Sequence, residues 1–289
     1  MRRDLIIDVG MHDGTDTAYY LAKGFNVVAI EPNPSLIAAA EEQFAQELEQ
    51  GRLNIIGAAI TDGAGTTSMA ISDEMTIWSS IDPAFINRNQ GVNYRYVEVP
   101  TIRFATVLAE YGVPYFLKVD IEGMDMLPVR ALREVPQRPQ YVSLESNVTS
   151  NEAPFDRVFD ELAELWSLGY RRFKYVNQRH LPKVRLPFPA REGRYVDARF
   201  TGHSSGPFGR ETPGRWLTAE QALAQAQLLR LAQNIGGYGG KWTHSRAGSA
   251  YVTTRRVLLG RDHSWFDLHA QLGDWPANGG DPQAAASDN

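Results

Sequence analysis

The first residues with the means to do chemistry form a turn, Asp8-Val9-Gly10-Met11-His12-Asp13-Gly14, between an apolar run and a helical pattern. Gly10 can take the tight turn at the end of a strand, and Gly14 lets a ligand approach the backbone where the next helix begins. The free N–H groups at a helix N-terminus favour a carboxylate or a phosphate. The turn therefore predicts a binding site for a nucleotide-like ligand.

Charge distinguishes two classes of nucleotide cofactor at this turn. Its glycine spacing is Gly-x-x-x-Gly, whereas dinucleotide sites typically have Gly-x-Gly-x-x-Gly. Asp8, Asp13 and Asp16 surround the turn and would repel a pyrophosphate. S-adenosylmethionine carries a sulfonium and an ammonium, which suit acidic residues, and one carboxylate, which suits the helix N-terminus. The turn favours S-adenosylmethionine, and a purely structural turn is the alternative.

Three positions further along extend the predicted cofactor site. Glu31 ends the second apolar run, about twenty residues after the glycine turn, where an acid accepts hydrogen bonds from ribose hydroxyls. Pro32 begins a Pro32-Asn33-Pro34 turn that leads the chain away from the site. Asp62 follows the third apolar run, where adenine would lie, although its Asp-Gly pair equally fits a plain turn.

Candidate catalytic acids lie at the C-terminal ends of the fourth and fifth predicted strands. Asp120 and Glu122 lie in Lys118-Val119-Asp120-Ile121-Glu122-Gly123, and Glu145 ends the next strand. Open α/β sheets bind ligands at this edge, and residues two apart on an extended chain point the same way. Methyl transfer to a hydroxyl needs a base that takes the proton. These three acids are the candidate bases; they also suit magnesium, but a metal is not the favoured interpretation.

Together and in this order, Asp8-Val9-Gly10-x-x-x-Gly14, Glu31-Pro32-x-Pro34 and the string from Lys118 to Gly123 resemble FkbM-type S-adenosylmethionine-dependent methyltransferases. The resemblance covers roughly residues 5 to 175. It implies a seven-stranded methyltransferase fold with one antiparallel edge strand, and O-methylation of a hydroxyl on a sugar, polyketide or other natural product. The family usually has Asn where this chain has His12, which is a candidate for contact with the cofactor and for the base.

Apolar periodicity predicts the elements that position these residues. Short β-rich runs alternate with helical patterns, which is typical of βαβ units and a parallel sheet. The fold class is therefore α/β, a Rossmann-like, mostly parallel sheet with helices on both faces. Strands are predicted at 4–9, 26–31, 53–56, 116–121 and 141–145, and helices at 15–23, 34–49, 104–111, 124–133 and 155–168. A looser insertion at about 66–102 is a candidate cap over the site.

The chain is expected to have three parts: a cofactor-binding core at 1–176, a substrate or lid region at 177–271 and a disordered tail at 272–289. Residues 171–194 hold eight basic residues and one acid, which indicates either a solvated hairpin face or a patch for an anionic substrate group. In the second part, the glycine-rich loop at 202–209 makes His203 the histidine most suited to a substrate site.

Other classes of function find less support. Gly202-His203-Ser204-Ser205-Gly206 fits the Gly-x-Ser-x-Gly of hydrolases, with Asp267 and His269 later in the chain. A nucleophile elbow needs a buried strand before the serine and a helix after it, and this stretch predicts neither. A nicotinamide-dependent oxidoreductase and a cofactor-binding module without activity are the remaining alternatives.

Composition narrows the partners and the compartment. The net charge of −5 argues against a polyanion-binding surface, and no apolar run approaches the ~20 residues of a membrane span. The chain has no cysteine, which fits a reducing compartment. We expect a soluble, cytoplasmic protein without a leader that acts on a small molecule bearing a hydroxyl and binds neither nucleic acid nor a membrane. The oligomeric state is not readable from the sequence.

Overall fold

The structure is a computed structural model, and it describes residues 1–72, 78–88, 91–149, 155–202, 204–236 and 265–273. His203, the glycine-rich segment after residue 236 and nearly all of the predicted tail lie outside these residues.

A seven-stranded sheet forms the centre of the fold. The strands, in chain order, are Arg2–Val9 (β1), Asn26–Ile30 (β2), Leu53–Ile56 (β3), Ala59–Ile60 (β4), Gly65–Ile71 (β5), Arg95–Ile102 (β6), Pro114–Val119 (β7), Tyr141–Glu145 (β8), Tyr170–Asn177 (β9) and Phe266–Leu272 (β10). The central sheet has the order β3-β2-β1-β7-β8-β10-β9, and its first five strands are parallel. This confirms the predicted α/β methyltransferase sheet.

The antiparallel strand lies one place inside the edge of this sheet, not at the edge as expected. β10 runs antiparallel to both of its neighbours, β8 and β9. Periodicity did not indicate β10, because Asp267, His269 and Gln271 make it look like a polar loop. Its pairing on both sides buries the first two of those side chains. The boundary predicted after residue 176 therefore does not follow the sheet, which includes residues 266–272.

The insertion after β3 forms a second, three-stranded sheet of order β4-β6-β5. β5 pairs with β6 in antiparallel register, and β4 pairs with it in parallel. A small core of Ala59, Met69, Ile71 and Val99 holds this sheet together.

Eight α-helices lie in the described residues. They are Thr15–Ala22 (α1), Pro34–Gln43 (α2), Ala45–Glu49 (α3), Pro83–Arg88 (α4), Phe104–Tyr111 (α5), Met126–Ala131 (α6), Asp156–Ser167 (α7) and Ala219–Gly236 (α8). Asn33 begins α2 by accepting a hydrogen bond from the backbone N–H of Ser35, as helix N-caps do. The long helix predicted at 34–49 is broken at Phe44, whose ring is buried beside the glycine turn.

Each face of the central sheet packs against a different layer. One face buries Ile7, Val9 and Leu117 in a core that also includes residues of α5, α6, α7 and α8. The other buries Ile6 and Phe116 in a core shared with α1 and with parts of the segment 181–216. Since residue types alternate along the strands, the polar side chains described below share the second face.

Gly10 shows why β1 must be followed by glycine. Its φ is +86°, and a Cβ there would lie 1.8 Å from the carbonyl oxygen of Asp120. Gly10→Ala is expected to lower the free energy of unfolding in urea by about 2–3 kcal/mol, because left-handed strain and overlap add. Gly51→Ala is the matched control, with φ at +66° and no atom within 4 Å of its Cβ. Equal losses in the two variants would contradict the steric explanation.

Candidate functional site

A row of buried polar side chains crosses the central sheet beneath its C-terminal edge. Sheet register sets Asp8 beside Lys118, Lys118 beside Ser143 and Ser143 beside His269. All four side chains are almost completely buried. Charges in this row must be balanced within the protein, because solvent does not reach them.

Lys118 balances the charge of Asp8 and supports the glycine turn. Its Nζ lies 3.1 Å from Oδ1 of Asp8 and donates to the carbonyl oxygen of Gly10 at 2.6 Å. Oδ2 of Asp8 accepts a 2.7 Å hydrogen bond from the hydroxyl of Thr17. Burial lowers the pKa of Lys118, but the charges of Asp8 and Asp120 more than offset this, so the pKa is raised. The carboxylate of Asp8, predicted to contact a cofactor, is thus enclosed by the protein and positions the turn.

The glycine turn is held by hydrogen bonds of its own backbone N–H groups and by packing against Phe44, at the C-terminal end of α2. The N–H of His12 donates to Glu31, and the imidazole, one-third exposed, lies 3.9 Å from Asp13. Asp13 is exposed and accepts from the N–H of Thr15 at the start of α1. A Cβ on Gly14 would lie 2.6 Å from the ring of Phe44. Gly14 also takes a positive φ of +77°, so both its backbone conformation and the ring of Phe44 favour glycine at position 14.

Glu31 lies beside the turn at the end of β2. Its Oε2 accepts from His12 N at 3.0 Å, and its Oε1 accepts from Asn33 N at 2.9 Å. Burial raises the pKa of Glu31, and these two hydrogen bonds partly oppose the shift. Each carboxylate oxygen can accept a second hydrogen bond. A fixed carboxylate with this spare capacity fits a ribose diol, and Pro32, half-buried, directs the chain away from it.

Asp62 lies apart from this arrangement. It occupies an exposed bend between β4 and β5. Among the residues that the structure describes, no hydrogen bond or ion pair of Asp62 joins it to the glycine turn. Contact with adenine stays a prediction.

The three predicted catalytic acids come together at the ends of β7 and β8. One oxygen each of Asp120, Glu122 and Glu145 can be chosen so that all three lie within 4.8 Å of one another. The reason differs from the expected one, because β7 ends at Val119 and Glu122 takes a positive φ of +45°. A turn after the strand, rather than alternation along it, brings Glu122 to the other two acids.

Two further acids that sequence reasoning did not place here surround this cluster. Asp125 accepts from the N–H groups of Ile121 and Gly123, at 3.0 and 3.3 Å, and so holds the turn. Burial, followed by the charge of Asp120, raises its pKa to about 6. Asp267 pairs in register with Glu145 across β10 and β8. Burial and the neighbouring acids raise the pKa of both Glu145 and Asp267 well above the ordinary values.

The sequence of this α/β core matches a family model described as the methyltransferase FkbM domain, over residues 8–172. The chain belongs to the FkbM methyltransferase family. The resemblance drawn from the three motifs is thereby confirmed. Membership of this methyltransferase family implies the use of S-adenosylmethionine.

Comparison of this FkbM-family chain with solved structures finds methyltransferases at low identity. An FkbM methyltransferase from Methylobacillus flagellatus is 17% identical with a TM-score of 0.36, over 67% of this chain and 43% of that one. A putative sarcosine dimethylglycine methyltransferase from Galdieria sulphuraria is 9% identical with a TM-score of 0.40, over 96% and 80% of the two chains.

A third, 1,6-didemethyltoxoflavin-N1-methyltransferase from Burkholderia thailandensis with bound S-adenosylhomocysteine, is 11% identical with a TM-score of 0.32, over 61% and 64% of the two chains. The matched part of this chain spans less than half of the Methylobacillus flagellatus protein. Curated proteins give no match to the sequence. Likeness at this level does not identify a substrate.

Asp16 of this methyltransferase-family chain supplies an additional group suited to the cofactor. Its Oδ2 accepts from Ser205 N at 2.9 Å, whereas Oδ1 is buried and has no hydrogen-bond partner among the described residues. Burial raises the pKa of Asp16 to about 6. An ammonium group would satisfy this oxygen. Glu31 and Asp16 therefore fit the ribose and amino groups of S-adenosylmethionine, while Lys118 neutralises Asp8.

The loop beside Asp16 excludes the hydrolase alternative. Ser204 is almost completely buried, and its hydroxyl donates to the carbonyl oxygen of Thr201 at 3.1 Å. Among the described residues around it there is neither a strand before this serine nor an α-helix directly after it. His269, the suggested partner, lies buried on β10, and burial lowers its pKa to about 3. His203 lies outside the described residues.

No helix in the described part of the chain is both long enough and apolar enough to cross a membrane.

Proposed function

We propose that this FkbM-family protein transfers the methyl group of S-adenosylmethionine to a hydroxyl of a small molecule. The observation that carries this proposal is the cluster of Asp120, Glu122 and Glu145 at the same sheet edge as the glycine turn. Lys118 connects the two parts, because its Nζ contacts the carbonyl of Gly10 and lies 3.7 Å from Asp120. Carboxylates beside a methyl donor suit an acceptor that must lose a proton, as a hydroxyl does.

The cofactor would be held by groups at the ends of β1 and β2. We assign ribose to Glu31, as the sequence predicts, and the amino group to Asp16, which goes beyond the sequence prediction. The remaining residues that the sequence predicts to contact the cofactor are kept in the proposal. They are Asp8, Gly10, His12, Asp13, Gly14, Pro32, Asp62 and Asp120. When bound, S-adenosylmethionine supplies an electrophilic methyl group on a sulfonium.

The acidic cluster would bind the acceptor. Asp120, Glu122 and Glu145 orient its hydroxyl by hydrogen bonding, and one of these carboxylates accepts the proton. The leaving thioether needs no acid, so alignment and proton acceptance are the contributions of the protein. His12, on the turn, and His203, which lies outside the described residues, are retained as alternative bases.

The test is calorimetric titration of the purified chain with S-adenosylhomocysteine, with NADH as the control titrant. We expect saturable binding of S-adenosylhomocysteine alone, with Kd on the order of micromolar. Glu31→Gln should weaken this binding about 10-fold, because a charge-assisted hydrogen bond to ribose is lost. Glu134→Gln is the matched control, since Glu134 is an exposed partner of Arg103.

Three results would overturn the proposal. Binding of NADH would favour an oxidoreductase, and absence of binding by either titrant would remove the cofactor site. Binding of S-adenosylhomocysteine without methyl transfer to any of a broad panel of sugars, polyols and phenols would instead favour a cofactor-binding module without activity. Equal affinities in Glu31→Gln and the control would remove the ribose role of Glu31.

A further inference from the structure

We propose that Asp120, Glu122, Glu145 and Asp267 together bind one hard divalent cation, such as Mg²⁺ or Mn²⁺, at the C-terminal ends of β7 and β8. The proposal deepens the proposed function, and the part that the cation would play in methyl transfer rests on that function. The cation site itself depends only on the folded chain.

The first observation is the geometry of the three-acid cluster. Single oxygens of Asp120, Glu122 and Glu145 approach one another within 4.8 Å. Two oxygens on opposite sides of a cation lie about 4.2 Å apart for Mg²⁺ and about 5 Å apart for Ca²⁺. Small side-chain rotations therefore suffice to bring the three oxygens onto one ion. Because the donors are all carboxylate oxygens, the site suits hard cations rather than zinc or copper.

The second observation is Asp267, which comes from a different part of the chain and lies opposite Glu145 in the sheet. Its side chain is only 3% exposed. Gln178 donates to Oδ1 at 2.7 Å, whereas the buried Oδ2 has no hydrogen-bond partner among the described residues. A buried carboxylate oxygen without a partner is costly unless a cation or a proton satisfies it.

Sheet register shows that this oxygen belongs to the cluster. Asp267 lies directly opposite Glu145 on the antiparallel neighbour, so the two side chains share a face of the sheet. The unpartnered carboxylate therefore lies on the same face of the sheet as Glu145, next to the cluster.

Carboxylates lie close together around the cluster in the part of the chain that the structure describes. Asp125 adds a fifth carboxylate beside the four proposed ligands, and Lys118 offers one positive charge that it shares with Asp8. A divalent cation would relieve this excess. If each of the three clustered acids binds the cation through one oxygen, its second oxygen remains as a proton acceptor for the hydroxyl. Since such cations take at least six oxygen ligands, positions also remain for an acceptor oxygen or water.

The experiment is titration of the EDTA-treated, dialysed full chain with Mn²⁺, without cofactor, followed by electron paramagnetic resonance of the free ion. We expect one Mn²⁺ per chain, displaced by excess Mg²⁺. Glu145→Gln and Asp120→Asn should each weaken binding about 10- to 100-fold, and Asp267→Asn about 10-fold. Glu134→Gln should leave the affinity unchanged. Circular dichroism of each variant checks that it folds. If Glu145→Gln does not fold, Asp267→Asn is used in its place to test the site.

Two outcomes would overturn the inference. The first is the absence of saturable Mn²⁺ binding at millimolar concentration, and the second is Mn²⁺ binding that none of the three variants weakens. In either case, shared protons must satisfy the acids. Separate titration with S-adenosylhomocysteine distinguishes this failure from that of the proposed function. Binding of S-adenosylhomocysteine without binding of Mn²⁺ would contradict the cation site alone. Binding of Mn²⁺ without binding of S-adenosylhomocysteine would contradict the proposed function alone.

Discussion

Glu145→Gln is expected to lower kcat by about 100- to 10,000-fold, the range that a positioned base contributes, while changing the affinity for S-adenosylhomocysteine less than about threefold. The reason is that Glu145 lies in the acidic cluster at the end of β8, two strands away from β1, which precedes the glycine turn. Glutamine keeps the size and hydrogen bonding of glutamate but cannot take the proton. The rate is measured with the best hydroxyl acceptor from the screen.

The same substitution gives a second readout that a merely structural role would not produce. Burial and the charges of Glu122 and Asp120 raise the pKa of Glu145, so the folded state disfavours its ionised form. Without divalent cation, Glu145→Gln should therefore unfold at a free energy about 1 kcal/mol higher than the unsubstituted chain. A Glu145→Gln variant that is less stable than the unsubstituted chain, or that retains more than about a tenth of kcat, would contradict the role of Glu145 as the proton acceptor.

Lys23→Met is expected to lower the free energy of unfolding in urea by about 3–5 kcal/mol, because it leaves a buried carboxylate without its partner. Nζ of Lys23 lies 2.8 Å from Oε2 of Glu211, and both side chains are fully buried. Oε1 of Glu211 also accepts from the backbone N–H groups of Arg191 and Glu192. This pair joins the end of α1 to the segment at 181–216.

Lys183→Met is the control for Lys23→Met, since Lys183 is exposed. Its expected effect is within about 0.5 kcal/mol. Adding Glu211→Gln to Lys23→Met should recover part of the loss, because the uncompensated charge is removed. Equal stability of the two lysine variants would show that the buried pair does not secure this segment.

Local patterns were sufficient for much of the fold and for the position of the site. Alternating apolar runs predicted β1, β2, β3, β7 and β8, because the period of a strand is written in neighbouring residues. The end of β7 was misplaced by two residues, since Asp120 and Ile121 continue the pattern beyond the last ladder pair. The glycine turn and Glu31 could be predicted because both follow directly from strand ends.

Other features required contacts between distant residues. Gly10 needs to be glycine because the backbone of Asp120 passes beside it, and Asp8 is enclosed because Lys118 reaches it from β7. β10 carries polar residues that read as a loop until β8 and β9 flank it. Asp267 was noticed only as a hydrolase partner for the same reason.

The sequence by itself determined the succession of strands and helices along the chain, the family, and the acids at the ends of the strands. Each of these depends on residues close together in the chain. The tertiary structure alone decided how those acids are used. Lys118 neutralises Asp8, and Ser205 donates a hydrogen bond to only one oxygen of Asp16. β10 places Asp267 opposite Glu145. The physical reason is that burial and charge balance depend on neighbours in space, which periodicity along a chain does not reveal.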